Sequence, residues 1–450
     1  VKRKIFTYTS SYPFSAQELF LWHMRKDALK RLLPPWQKVK VLSAGSPKNM
    51  GSLTKIRMYI GPLFRDWVSK HVLYEEGKRF VDEAIKSPML FWRHSHEFIQ
   101  KQKEAILTDH IEYALPWYVG SSYVEKNLQK LFAFRHRRLS SDLAIFHKYD
   151  MQKKKILLSG ASGLVGAEFM AFLQALGHDV YCLKRGKTDM QRQIIGWNPE
   201  QDGNHIDAFE GFDAIVHLSG ENIAKKRWSK AQKERIFQSR CRDTYHLATI
   251  VSRLSRPPKV LISASAVGIY GDRKEEVLAE DQTFGNDFLA NVCIHWEKAV
   301  EPLKQKAIRL CQARFGYILT PQGGMLGEML LPFRVGAGGI MGSGRQMIPW
   351  VALDDVIYAL YHLMMTETLS GPINIVASHP VTQKEFAQTL AKVLMRPCFL
   401  RIPRFFLKVM LGERADALIF RSANVSNAKL LQSGYQPHFQ TLETYFKEYL

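Results

Sequence analysis

The segment Lys155-Ile-Leu-Leu-Ser-Gly160-Ala161-Ser162-Gly163-Leu164-Val165-Gly166 constrains this chain more than any other. An apolar strand runs into three glycines, followed by a predicted helix over Ala167–Leu176 and a second strand over Asp179–Leu183. In such a unit Gly160 permits a tight turn, Gly163 lets the backbone approach a pyrophosphate, and Gly166 lets helix and strand pack closely. The helix N-terminus then faces the phosphates. Residues 160–166 are therefore expected to bind a dinucleotide. Further strands at Ala214–Leu218, Lys259–Ser263 and about Ala307–Leu319, with helices between them, extend the unit into a doubly wound parallel sheet. The turn Leu218-Ser219-Gly220 and Ser263, each at the end of a strand, are placed along the cofactor. The second strand ends at Lys184-Arg185, where an NAD site usually carries an acidic residue for the ribose hydroxyls. Two cations suit a 2′-phosphate instead, so NADP(H) is the expected cofactor.

At 450 residues the chain has room for two or three domains. Residues 1–147 read as one domain, 148–152 as a linker, 153–372 as the dinucleotide-binding domain, and 373–450 as a small C-terminal cap. The first domain looks α+β. Residues 3–9 alternate as a strand, and Ser15 is placed to cap a helix from Ala16 to about Met24. Extended segments follow around 38–43, 52–60, 65–74, 79–86, 89–99 and 105–115, with turns at Gly45, Gly51, Gly61-Pro62, Gly77 and Pro88. A helix from about Ser122 to Phe146 closes the domain, with Val124, Leu128, Leu131, Phe132, Leu139 and Leu143 forming its apolar stripe. A curved sheet gripping a helix leaves either an apolar cavity or a filled core. His94 and His96 share a strand face at spacing two, which suits a metal pair. Sequence places no third ligand, and no metal is expected.

The element order, with the phrases Gly77-Lys78-Arg79-Phe80 and Leu107-Thr108-Asp109-His110-Ile111-Glu112-Tyr113, resembles the helix-grip domains of the START and polyketide-cyclase superfamily. The resemblance covers about 145 residues and implies binding of a lipid-like or other hydrophobic small molecule.

The charge balance is basic: 63 Lys+Arg against 42 Asp+Glu. A net of +12 falls in residues 1–150 and +9 in the remaining 300, so the excess sits in the first third. Such a field favours anionic partners. The cations are scattered, however, apart from Arg135-His136-Arg137-Arg138, which reads either as a solvated helix face or as a contact for acidic lipid or nucleic acid. No nucleic-acid partner is expected. Five cysteines without a CxxC spacing argue for reduced thiols and a cytoplasmic location. No apolar run reaches the ~20 residues of a membrane span, and the first residues lack the apolar core and cleavage site of a signal peptide. Oligomeric state is not legible.

Three long phrases carry a second, more specific resemblance. They are His217-Leu-Ser-Gly220-Glu-Asn-Ile-Ala with Arg227-Trp228; Ile262-Ser-Ala-Ser265-Ala-Val-Gly-Ile-Tyr270-Gly271; and Leu330-Leu-Pro-Phe-Arg-Val-Gly-Ala-Gly-Gly-Ile-Met-Gly-Ser-Gly-Arg345-Gln. With Pro349-Trp350-Val-Ala-Leu-Asp354-Asp355, Gly412-Glu413-Arg-Ala and Ser433-Gly434-Tyr435, they resemble an atypical branch of the short-chain dehydrogenase/reductases. This is the "epimerase family protein" subgroup of the NAD(P)-dependent epimerase/dehydratase superfamily, with its DUF1731-like tail. The match spans nearly all of 153–450 and implies a Rossmann domain. It implies cofactor contacts from the glycine loop, Lys184, Arg185, Leu218, Ser219 and, more weakly, Arg240.

The resemblance also exposes a departure. Ordinary extended members use a Ser or Thr with a Tyr-x-x-x-Lys pair, the lysine lowering the tyrosine's pKa while nicotinamide takes hydride. Ser265 fits the hydroxyl position, but Leu289 and Cys293 stand where Tyr and Lys are expected. Candidate substitutes are Tyr270, as a phenol, and Glu221, as acid or base or as a cap of the following helix. Asn222 and Arg345, the latter in a Gly-rich stretch read as a loop over the substrate, are candidate substrate contacts. Asp354 and Asp355 read as caps of the next helix. Two functions stay open: an NADP(H)-dependent oxidoreductase or isomerase, and a non-catalytic NADP(H)-binding sensor.

Overall fold

The computed structural model describes residues 2–61, 63–199, 206–224 and 226–450; Val1 and Pro62, half of one expected turn, lie outside the described residues. Contacts divide the chain into two compact units, residues 1–153 with 171–178, and residues 154–170 with 179–450.

The first unit is α+β. Its elements are β1 (Lys4–Tyr12), α1 (Ala16–Met24), α2 (Ala28–Arg31), β2 (Val39–Ser43), β3 (Leu53–Ile60), β4 (Leu63–Glu75), β5 (Arg79–Lys86), β6 (Phe91–Lys101), β7 (Glu104–Ala114) and α3 (Ser121–Lys148). The seven strands form an antiparallel sheet in the order β1-β7-β6-β5-β4-β3-β2. Ser15 caps α1 in a reciprocal capping box with Glu18, satisfying two backbone donors at once. Helix α3 buries Val124, Leu128, Phe132, Leu139 and Leu143. Phe132 packs against Phe6 and Tyr8 of β1 and against Ile111 and Tyr113 of β7.

The Arg135–Arg138 run differs from the solvated face read as one option. His136 and Arg138 are buried, and Arg137 is exposed. His136 falls four residues after Phe132 and three before Leu139, so helical spacing carries it into the apolar stripe.

The second unit is α/β. It contains β8 (Lys155–Ser159), the first seven residues of α4 (Leu164–Ala175), β9 (Asp179–Lys184), β10 (Ile194–Gly196), β11 (Ala214–His217), α5 (Lys230–Gln238), α6 (Cys241–Ser252), β12 (Val260–Ala266) and α7 (Phe288–Lys298). Strands Arg309–Phe315 and Gly371–Ile375 complete a seven-stranded parallel sheet in the order β10-β9-β8-β11-β12 followed by those two. Strands of such a sheet are covered on both faces, which is why β8, β11 and β12 read as apolar runs.

Three expectations are corrected here. The long strand read at 307–319 breaks at Gly316, where a Cβ would lie 2.2 Å from the Pro349 carbonyl oxygen. Beyond that crossing Tyr317–Leu319 leaves the sheet and pairs with Trp350–Ala352. The stretch read as a loop at 330–345 begins inside a helix, Gly324–Arg334, whose Leu326, Leu330 and Phe333 are buried, and continues into a strand at Gly339–Met341. Asp354 and Asp355 do not cap the helix Leu353–Met365; its N-cap is Ala352. Asp355 is buried and accepts hydrogen bonds from the backbone N–H groups of His438 and Phe439 and from the Tyr435 hydroxyl.

In the first unit α2 is tied to α3 by a fully buried bidentate pair: Arg31 Nε and Nη2 donate to the two oxygens of Asp142 at 2.9 and 2.7 Å. Removing one partner leaves the other charge buried. Asp142→Ala is expected to lower the stability of the chain by about 3–5 kcal/mol, read as a leftward shift of the urea midpoint by circular dichroism. An unchanged midpoint would count against this assignment.

Candidate functional site

The site begins where β8 ends. Gly160 has φ +74°, and a Cβ on it would lie 2.7 Å from the Leu218 carbonyl carbon and 2.9 Å from the Ser219 nitrogen. A side chain at Gly166 would come within 2.2 Å of the Gly160 oxygen. At both places two backbones approach as closely as only glycine permits. Gly163 is different: it is exposed, and its added Cβ would meet only the Gly160 oxygen, at 3.3 Å. The loop closes with Gly163 N–H donating to Gly160 O at 2.9 Å. Gly163 O in turn accepts from Ala167 at 2.9 Å, so the helix starts at Leu164, inside the glycine loop and three residues before its expected start. Ala161 and Val165 are half-buried, and Ser162 is exposed beside Gly163. The result is a helix N-terminus with unsatisfied N–H groups behind an open glycine, a geometry that accepts an anion.

The Leu218–Ser219 turn that abuts this loop is held by a chain of buried side chains. The Leu218 N–H donates to Ser159 Oγ at 3.1 Å, and Ser159 Oγ lies 2.7 Å from His217 Nδ1. His217 Nε2 lies 3.1 Å from Thr244 Oγ1, which also accepts from Trp296 Nε1 at 3.0 Å. With Ser159 Oγ accepting from the backbone, its proton is directed at Nδ1, which assigns His217 as a neutral ring protonated at Nε2. Burial pushes the His217 pKa down to about 4, consistent with that state. Ser263 is buried in β12, beside His217 in register.

Lys184 and Arg185 are both exposed at the end of β9; Arg185 Nη2 stands 3.9 Å from Asp243. Arg240 is half-buried. Its guanidinium donates to the Glu221 carbonyl at 2.9 Å, stands over the Trp296 ring and lies against Gly220. It therefore braces the segment 220–221. Glu221 does not cap α5, whose N-cap is Ser229; its carboxylate accepts from Gln232 at 3.1 Å. Asn222 Oδ1 accepts from the Ala224 N–H at 2.8 Å, closing a local turn. Arg345 is exposed, in the turn after Gly339–Met341.

Ser265 and Tyr270 belong to one buried network. Ser265 Oγ donates to Glu297 Oε1 at 2.7 Å. Glu297 binds Arg314 through both oxygens, at 2.7 and 2.8 Å. Arg314 Nη1 donates to the Tyr270 hydroxyl at 2.7 Å, and that hydroxyl donates to Asn374 Oδ1 at 2.8 Å. Tyr270 is fully buried, and burial raises its pKa. Leu289 and Cys293, both buried on α7, pack near Gly268 together with Arg421. Burial, and then the Glu297 charge, push the Cys293 thiol up to about 12. Arg421 donates to the Gly268 carbonyl at 3.0 Å and pairs with Asp287, the N-cap of α7. Sequence reasoning missed Arg314, Asn374 and Arg421 and noted Glu297 only as a landmark. An arginine in the middle of a buried apolar strand was the available signal, since a buried guanidinium demands a carboxylate.

Because unfolded histidine titrates near 6.5 and folded His217 near 4, acid favours the unfolded chain. The stability carried by neutral His217 is complete above about 6.5. It declines by about 1.4 kcal/mol per pH unit as pH falls towards 4. His217→Gln is expected to remove that component, giving a shallower loss of stability between pH 6.5 and 4 in parallel denaturant titrations. Equal slopes for the two proteins would refute it.

Known proteins bear on this geometry. The model of the NAD dependent epimerase/dehydratase family matches residues 156–376, and that of DUF1731, a domain of unknown function, matches residues 402–449. An epimerase family protein of Mycobacterium bovis is 36% identical over 292 residues, covering 65% of this chain and 96% of that protein. Human epimerase family protein SDR39U1 is 32% identical over 297 residues, covering 65% and 99%. Among solved structures, a nucleoside-diphosphate sugar epimerase from Corynebacterium glutamicum superposes with a TM-score of 0.81 at 28% identity, covering 99% of this chain and 90% of its own. Human SDR39U1, crystallised with NADPH, superposes with a TM-score of 0.60 at 31% identity, covering 66% and 98%. A parallel sheet with a glycine-built helix N-terminus, matched along almost the whole length of these relatives, makes this chain a member of the epimerase family within the NAD dependent epimerase/dehydratase proteins.

Proposed function

We propose that the second unit binds NADP(H) and uses it in a redox reaction, or a redox-assisted isomerisation, on a small molecule. The observation that carries this is the open glycine at the N-terminus of α4, flanked by the exposed Lys184–Arg185 pair. The glycine loop 160–166 would hold the pyrophosphate, Lys184 and Arg185 a 2′-phosphate, and Leu218, Ser219 and Gly220 the nicotinamide side, with Ser263 behind them. The NADPH seen with human SDR39U1 supports the same reading. When bound, the cofactor supplies hydride transfer.

The chain's own residues do the rest. The Ser159–His217–Thr244 chain fixes the turn that borders the cofactor, and Arg240 braces the segment after it. Arg314 and Glu297 hold Ser265 and Tyr270 in fixed orientations, so we assign those two to positioning. Proton transfer falls to Glu221, a half-buried residue whose carboxylate accepts from the neutral Gln232 amide. Asn222 and Arg345 are its candidate companions at the substrate. For the first unit, a sheet clasping a long helix supports the helix-grip reading. The exposed Trp117, Tyr118 and Tyr123 near the start of α3 suit a hydrophobic ligand.

A second reading, an NADP(H)-binding sensor without turnover, is favoured by one observation: apolar Leu289 and a neutral Cys293 occupy the Tyr and Lys positions of ordinary members.

Replacing both Lys184 and Arg185 by Ala is expected to weaken NADPH binding by about 10–100-fold, the loss of one or two charged hydrogen bonds. NADH affinity should change less than threefold. Fluorescence titration of each nucleotide checks this; parallel losses for both, or none, would remove the 2′-phosphate assignment. Oxidation of bound NADPH by a panel of carbonyl and nucleotide-sugar compounds, lost in Glu221→Gln, decides between enzyme and sensor.

A further inference from the structure

The sheet of the first unit carries a polar cluster that the dinucleotide site does not use. His71 on β4, Asp82 on β5 and His94 on β6 are successive cross-strand partners, and His96 on β6 is the partner of Asp109 on β7. His71, His94, His96 and Asp109 are all buried. Polar groups are rarely buried in such number without a common purpose, because each costs free energy unless partnered.

The hydrogen bonds sort these groups into two roles. Asp109 receives His94 Nε2 at 2.7 Å and His136 Nε2, from α3, at 2.6 Å. Its carboxylate therefore fixes the Nε2 tautomer of His94 and leaves the Nδ1 lone pair free. That Nδ1 lies 3.8 Å from an Asp82 oxygen. His96 Nδ1 is 2.6 Å from the same carboxylate, a separation that requires a proton between the two, so the lone pair left on His96 is at Nε2. The buried Nδ1 of His71 has no hydrogen-bond partner among the described residues. One donor atom from each of Asp82, His94 and His96 lies within 4.8 Å of the other two. Donors about 2.1 Å from a tetrahedral ion stand roughly 3.4 Å apart, so small side-chain rotations close this set.

Electrostatics point the same way. Burial pushes His71, His94 and His96 towards the neutral state, the form that binds a metal. Asp109 is held well below the usual carboxylate range by the surrounding histidines, against the cost of its burial. Asp82 is pushed up by burial. The cation facing these two carboxylates is Arg135, whose Nε donates to the Leu32 carbonyl. Burial disfavours the ionised form of Asp82, a cost that a bound cation would offset. His23 from α1 lines the small cavity beside His96, Asp109, Arg135 and His136, which has room for a water-sized guest. Its Nδ1 is taken by the Leu19 carbonyl, and burial pushes its pKa down to about 3.

We propose that the first unit holds a zinc-class divalent transition-metal ion, with Asp82, His94 and His96 as ligands and Asp109 orienting His94 from behind. A nitrogen-rich set with one carboxylate suits zinc, cobalt or nickel over magnesium or calcium. A carboxylate behind a ligating imidazole is a recurrent feature of such sites. The proposal is independent of the NADP(H) reading.

The test uses the full chain, freed of metal with a chelator and titrated with Co²⁺. One equivalent is expected to bind, with visible d–d bands, and Zn²⁺ is expected to displace it and raise the melting temperature. His94→Gln with His96→Gln should abolish the bands. Asp82→Asn, a milder change that circular dichroism can confirm as folded, should weaken binding at least tenfold. Asp109→Asn should keep one equivalent but lower affinity by about 10–100-fold. Wild-type protein that takes up no Co²⁺ and shows no zinc-dependent melting shift would overturn the proposal. So would bands that persist unchanged in folded Asp82→Asn and in the double histidine variant.

Discussion

The near-contact between Gly160 and the Leu218–Ser219 turn is the constraint on which the dinucleotide region depends. With 2.7 Å between a hypothetical Cβ and the Leu218 backbone, the ends of β8 and β11 are held together without any intervening side chain. That contact needs a turn that does not wander. The turn is held by Ser159, His217, Thr244 and Trp296, a chain in which each donor has one acceptor and each ring nitrogen one role. Polar groups this deep are stabilising only when all are satisfied. Backbone proximity and side-chain satisfaction thus serve one end: a rigid rim at the carboxyl edge of the parallel sheet, where ligands of such folds bind.

A second network fixes Ser265 and Tyr270. Its charges are Arg314, on the strand Arg309–Phe315, and Glu297 on α7, the helix on which Leu289 and Cys293 are buried. Arg314 is paired with Glu297 through both oxygens and still draws the Tyr270 phenol's pKa down. Burial outweighs that pull and leaves the phenol above its ordinary value.

Much of this was legible before any coordinates. Capping by Ser15, the seven strands of the first sheet, the length of α3 and the glycine loop all follow from local rules: a cap box, period two, period 3.6, and the φ freedom of glycine. What stayed hidden was what separate elements bring together. Nothing adjacent to Arg314 announces Glu297, seventeen residues away on a helix. Likewise nothing near Asp82 or Asp109 in the sequence announces that register sets them beside His94 and His96. The break at Gly316 was invisible because its cause is a carbonyl contributed by Pro349. Alternation and periodicity describe one segment at a time; partners across the sheet come from topology.

The buried Asp355 carboxylate has a consequence for how this protein can be divided. It accepts the N–H groups of His438 and Phe439 and the hydroxyl of Tyr435, and burial holds its pKa near 6. Arg421, from the same C-terminal stretch, clamps the start of α7. Exchanging the stretch matched by the DUF1731 model for another sequence would therefore leave a buried carboxylate without its donors and the start of α7 without its arginine, unless both halves of each lock were exchanged together.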